Sequence, residues 1–146
     1  LAAQSVSRVV RDDIAHLSVV IDVGNARLRI TGAPRRDAER VWFTIEIAGS
    51  DVHRTCATGV LVDGVPRATT VSEYQHEGGV EKLKFIETVA ALRAFTTATR
   101  VAGRVCNDEW RLDAAGQALV GEFVARFDEE LAWAPASAAP AVTPVP

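Results

Sequence analysis

The sequence has no methionine, two cysteines, one tyrosine and only two lysines among its sixteen basic residues. A primary translation product starts with methionine, so the expectation is a chain processed or cut from something larger. Leu1-Ala2-Ala3-Gln4 reads as either the small-residue end of a secretory signal peptide or the result of simple trimming. Two isolated cysteines and three scattered histidines lack zinc-ligand spacing, and there is no C-x-x-C or H-E-x-x-H. The phosphate-cradling G-x-x-x-x-G-K, the dinucleotide G-x-G-x-x-G and the nucleophile elbow G-x-S-x-G are also missing, so no cofactor is implied. No run approaches the roughly 20 apolar residues of a membrane helix. Basic charge is not concentrated: sixteen Lys and Arg face nineteen Asp and Glu, a net −3, which argues against nucleic acid as a partner. The densest basic spot is Arg35-Arg36 with Arg40 close by, read as a solvated loop or a contact for an anionic partner.

What remains is 146 residues, 48% apolar and 24% charged. That is one domain by length and too apolar for disorder. A chain of this size buries roughly 68–70% of its unfolded surface, enough to fold without a metal. Ser18–Val23 and Ala26–Thr31 alternate apolar and polar residues around Gly24-Asn25, an antiparallel hairpin with a II′ turn. Val6–Ala15 fits helix or strand. Gly32–Arg40, with Pro34 and five charges, reads as a loop. Val41–Ile47 alternates again, with Val41, Phe43, Ile45 and Ile47 inward and Trp42, Thr44 and Glu46 outward. Further strands are expected over Ala57–Val62, Arg67–Tyr74 (beginning only after Pro66, which lacks an amide donor) and Val80–Ile86, with Leu83 and Phe85 inward.

Thr88 can cap a helix carrying Val89, Leu92 and Phe95. A short hairpin follows around Asn107-Asp108. Asp113 then caps a long helix whose stripe is Ala115, Leu119, Val120, Phe123, Val124, Phe127 and Leu131, with a Glu122–Arg126 pair on the wet side. Trp133 is expected to pin the end of that helix. From Ala134 only Pro, Ala and other small residues follow, a composition that packs no core. The expectation is therefore an α+β domain over residues 1–133 and a disordered tail or linker over 134–146. Its core is a mainly antiparallel sheet of about six to eight strands, with two helices, the long C-terminal one packed on one face.

From Val60 to Phe127 runs a strand ending in Asp63-Gly64, then Glu81-Lys82-Leu83-Lys84-Phe85, a helix over Val89–Ala98, Val101–Val105, Trp110-Arg111-Leu112 and a closing helix. This order resembles a recurrent α+β module of uncharacterised exported bacterial proteins. The resemblance implies a periplasmic or secreted location and brings no activity with it. The chain departs from the pattern at Cys106-Asn107, where a plain glycine turn is expected, and this fits a covalent partner for Cys106. In an oxidising compartment Cys56 and Cys106 close a disulfide; in a reducing one they are two buried thiols.

Three histidines are candidates for chemistry. His16 follows Asp12 and Asp13 at helical spacing, which would orient a base or hold a metal, unless it is simply an exposed element end. His53 stands in Ser50-Asp51-Val52-His53, which holds the residue types of a hydrolytic triad but also those of an ordinary turn. Glu73, His76 and Glu77 could ligate a metal or form a polar strand end. Trp42, on the wet side of its strand, is either covered by a second layer or is an anchor for a partner. The reading that follows is an exported, non-catalytic binding module that meets a protein or other envelope macromolecule through its sheet. Trp42, Arg35, Arg36 and Arg40 are its candidate contacts. A small hydrolase or metal-dependent enzyme using one of the histidines is the alternative, and a structural spacer a further one.

Overall fold

A computed structural model describes residues 6–35 and 40–133. The expected hairpin is present: β2 (Ile14–Asp22) pairs with β3 (Ala26–Gly32), and Gly24 takes the positive φ, 94°, that the first position of a II′ turn demands. The Val6–Ala15 ambiguity resolves as strand. β1 (Ser7–Arg11) is tied to β2 by Asp12 and Asp13, both at positive φ. Two adjacent left-handed residues cannot continue a helix, so the Asp12–His16 helical spacing does not exist.

β4 (Arg40–Ala48) follows, with the expected inward set Val41, Phe43, Ile45 and Ile47 buried. The remaining elements are β5 (Thr58–Val62), β6 (Val65–Thr69), β7 (Glu73–Glu77), β8 (Val80–Thr88), α1 (Val89–Thr97), β9 (Val101–Val105), β10 (Asp108–Leu112) and α2 (Ala114–Trp133). They form two antiparallel sheets, β1-β2-β3-β4-β8-β7 and β10-β9-β5-β6, rather than one. The α+β layout stands, with α2 packed against β2 of the six-stranded sheet. The tail and residues 1–5 lie outside the described residues.

The single strand expected over Arg67–Tyr74 is two, split between the sheets. β6 starts at Val65 and includes Pro66, paired with Leu61. An edge strand tolerates proline because half of its amides face no neighbour, and β6 is an edge.

Between the layers Phe43 meets Phe85, Phe95 and Trp110 at ring-centroid distances of 5.0, 6.2 and 5.9 Å. Trp110 stands opposite Gly103, where a Cβ would lie 2.0 Å from the indole, so only glycine lets the ring lie flat across β9. Thr88 caps α1 by accepting from the Ala91 amide at 3.1 Å, and Asp113 caps α2 by accepting from Gly116 at 2.7 Å. Gln117 of α2 donates to the last carbonyls of α1, Phe95 and Ala98, at 3.0 and 2.9 Å.

The buried stripe of α2 is Gly116, Val120, Phe123, Val124 and Phe127, while Ala115 is exposed. Gly116 replaces it because a Cβ there would already touch Leu112 and Ile21 at 3.0 and 3.1 Å. Arg126 pairs with Glu129 at 3.8 Å and not with Glu122, whose carboxylate accepts instead from the Val6 amide. Trp133 is 85% exposed and pins nothing among the described residues.

Candidate functional site

The six-stranded sheet has an inner face on the core and an outer face that no element of the described chain covers. Period-two alternation in β4 puts Arg40, Trp42, Thr44 and Glu46 on the outer face, and the register sets Trp42 between Thr31 of β3 and Ile86 of β8. Trp42 is 38% and Ile86 44% exposed, so among the described residues no second layer covers Trp42. With Gly32, Ala33, Arg35, Arg40 and Val41 they line a shallow pocket of about 260 Å³. The Lys84 ammonium stands 4.7 Å from the Trp42 ring centroid. The structure thus brings Trp42, Arg35 and Arg40 together, while Arg36 lies outside the described residues.

Charge is graded along this face. At the Arg40–Trp42 end the described outer-face side chains, Thr31, Arg40, Trp42, Ile86 and Thr88, include no carboxylate. The carboxylates sit farther along the strands: Glu73 pairs with Lys84 at 3.8 Å, and Glu46 with Arg29 and Lys82 at 3.6 and 3.9 Å. Both lysines of the chain, Lys82 and Lys84, belong to this face.

The second cluster has a buried centre, His53 and Glu81, and an exposed rim of Asp51, Arg54 and Asp108. The loop after β4 carries His53 back under the sheets, where it is 4% exposed. Nδ1 meets the Glu81 carboxylate, Nε2 lies 2.8 Å from Asp108 Oδ2, and the His53 amide donates to Glu81 Oε1 at 2.8 Å. The Tyr74 hydroxyl has one proton and two acceptors in range, Glu81 Oε1 at 2.5 Å and Asp51 Oδ1 at 2.8 Å. Arg54 donates to Asp51 at 2.8 Å and lies 4.6 Å over the Tyr74 ring. A disulfide, Cys56–Cys106, with Cα atoms 4.9 Å apart, fastens the same loop to the β9–β10 turn. Gly49 is required at the back of the cluster, since a Cβ there would lie 1.9 Å from Glu81 Oε2.

Burial opposes charge on His53, but the hydrogen bonds to Asp108 and Glu81 outweigh it and hold the imidazole above its ordinary 6.5. Burial likewise opposes charge on Glu81, yet donors from Tyr74 and from the backbone and ring of His53 hold it below the usual carboxylate value. Each ring nitrogen faces a carboxylate, so protonated His53 donates from both and then has no lone pair to take a substrate proton. The Ser50–Asp51–His53 triad is not assembled: Asp51 bonds Arg54 and Tyr74, and His53 takes Glu81 and Asp108 in its place. As arranged, the cluster is a clasp joining the loop, β7, β8 and the β9–β10 turn.

The other histidines stand apart. His16 lies on β2 opposite Val9, and His76 on β7, four strand spacings or about 19 Å across the sheet. His76 and the pair Glu73 and Glu77 alternate to opposite faces of β7, so they do not converge on one ion. Among the described residues no group of three or more His, Cys, Asp or Glu is placed to hold a metal. Sequence reasoning had marked His53 but missed Glu81, Asp108 and Tyr74. The available signal was the alternation Glu81-Leu83-Phe85-Glu87, which puts two carboxylates on the core face of β8.

No helix of the described chain is long and apolar enough to cross a membrane. Comparison of the chain with family models, with curated proteins and with solved structures found no match.

Proposed function

We propose that this chain is the folded part of an exported bacterial protein and that it binds a second macromolecule without transforming it. The contact is the Trp42 end of the outer sheet face, and the partner is an acidic segment of an envelope protein. The disulfide supports an oxidising location, since such bonds persist in periplasmic and secreted proteins. One observation carries the binding reading: an indole stands 38% exposed on an uncovered sheet face, beside Ile86 and inside a pocket rimmed by Arg35 and Arg40. Tryptophan and arginine are the residue types in which interface energy concentrates. The charge gradient selects the partner's sign, because this end carries cations in a chain whose net charge is −3.

The probe is a fluorescein-labelled peptide with a central Phe flanked by Asp and Glu, followed by anisotropy, with a Lys-substituted peptide as control. Trp42→Ala and Arg40→Glu should each weaken binding at least about tenfold, and added salt should weaken the wild type. Equal binding of the acidic and basic peptides, or variants indistinguishable from wild type, overturns the reading.

A further inference from the structure

Among the described residues four strands border open sheet edges: β1 and β7 in the larger sheet, β10 and β6 in the smaller. An open edge offers unpaired N–H and C=O groups to any strand that reaches it, and sequences guard such edges with proline and charge. β6 carries Pro66. β7 reads Glu-Tyr-Gln-His-Glu, and an antiparallel copy centred on Gln75 would set Glu73 against Glu77. β10 carries Asp108, Glu109 and Arg111 and runs directly into the Asp113 cap of α2. β1 reads Ser-Arg-Val-Val-Arg. It has no proline, its Arg8 is held by Glu130 and its Arg11 stands at the turn, and between them Val9 and Val10 are 48% and 51% exposed.

The hairpin geometry determines what β1 presents. Asp12 and Asp13 have φ of 52° and 62°, the two positive values of a type I′ turn. Arg11 and Ile14 close that turn and exchange hydrogen bonds, as then do Val9 with His16 and Ser7 with Ser18. Arg8 and Val10, in the alternate pairs, therefore direct their N–H and C=O to the open side.

We propose that this edge pairs antiparallel with β1 of a second copy of the chain, about a two-fold axis through Val9. In that register Arg8 of each copy exchanges hydrogen bonds with Val10 of the other, so the outward groups of both are satisfied. Val9 faces Val9 across the axis on the outer face of the sheet. On the helix side the stem of Arg8, whose guanidinium is held by Glu130 of α2, packs on Val10. A slip of one residue towards the turn breaks the hydrogen-bond parity and sets Arg8 against Arg11. The contact is isologous, closes at two copies and makes the two six-stranded sheets one continuous layer.

Sedimentation velocity on the chain, up to about 100 µM, reads the oligomeric state. The wild type should sediment at twice the 15.6 kDa monomer mass. Val10→Pro removes an outward N–H without touching the β1–β2 ladder, and Val9→Lys sets two ammonium groups across the axis. Each should raise the dimer Kd at least about tenfold with unchanged circular dichroism. Val9→Cys should crosslink two copies on mild oxidation, because non-hydrogen-bonded antiparallel pairs hold their Cα atoms about 4.5 Å apart, within disulfide reach. A wild-type monomer at the highest concentration overturns the proposal. So does a dimer that survives both variants, one that fails to crosslink, or one dissolved by Trp42→Ala.

Discussion

Replacing His53 with alanine tests the clasp most directly. Glu81 is 0% exposed and would keep its ionised carboxylate while losing the imidazolium that neutralises it; Asp108 would lose the same partner. Removing one member of a buried charge pair costs about 3–5 kcal/mol, because the remaining charge is left uncompensated. The Tyr74 hydroxyl stays in place, which points to the lower half of that range. A domain of this length loses about 2–4 °C of Tm per kcal/mol, so the variant should melt roughly 10 °C lower.

The pH dependence gives the sign. His53 is raised in the folded state, so its contribution is complete below about pH 6.5 and is lost as pH rises through the folded value. Glu81 is lowered, so its contribution is complete above about pH 4.5 and is lost as pH falls through its folded value. Urea unfolding between pH 4 and 9, or about that range, should therefore show a plateau of maximum stability on the mildly acidic side. Glu81→Gln, which cannot ionise, should remove its share of the acid limb and flatten the alkaline one. A His53→Ala cost under about 1 kcal/mol, or wild-type stability climbing steadily above neutrality, would refute the reasoning.

Two further outcomes follow from the same architecture. Cys56→Ser with Cys106→Ser opens a loop spanning 50 residues, and the chain-entropy model values its closure at about 4 kcal/mol; a smaller drop in urea-derived stability would mean that the unfolded chain keeps residual structure between the two segments. Gly103→Ala drives a methyl into the Trp110 indole at 2.0 Å, so near-ultraviolet circular dichroism should lose its tryptophan signature and stability should fall by about 1–3 kcal/mol.

The parts of the fold that sequence revealed are those where a single period governs a whole element. β2, β3 and β4 each bury the face that their alternation makes apolar. The first turn of α2 misled because a glycine, with no hydrophobic signal of its own, occupies the contact that alanine was expected to fill. The Arg67–Tyr74 stretch misled for a different reason. Residues 70–72 carry the chain from one sheet into the other with no glycine or proline to mark the change, and Pro66 looked like a barrier only because its strand was not yet known to be an edge. The clasp was half legible. His53 is visible as a titratable group, but its carboxylates come from 28 and 55 residues farther along, a distance no local pattern spans. The Trp42 face was easier, since the strand pattern alone turned the indole outward and the same loop supplies Arg35 and Arg40.

The bridge between Cys56 and Cys106 makes a covalent ring of everything from β5 to β9. That ring does not belong to one sheet: it contains β7 and β8 of the larger one, and also three strands of the smaller, β5, β6 and β9. A protease that cuts between β6 and β7 would meet a molecule whose two pieces stay joined through sulfur and still interlocked by hydrogen bonds on both sides of the nick. In a compartment rich in proteases and poor in reductants, such a protein can be cleaved once and go on as the same molecule.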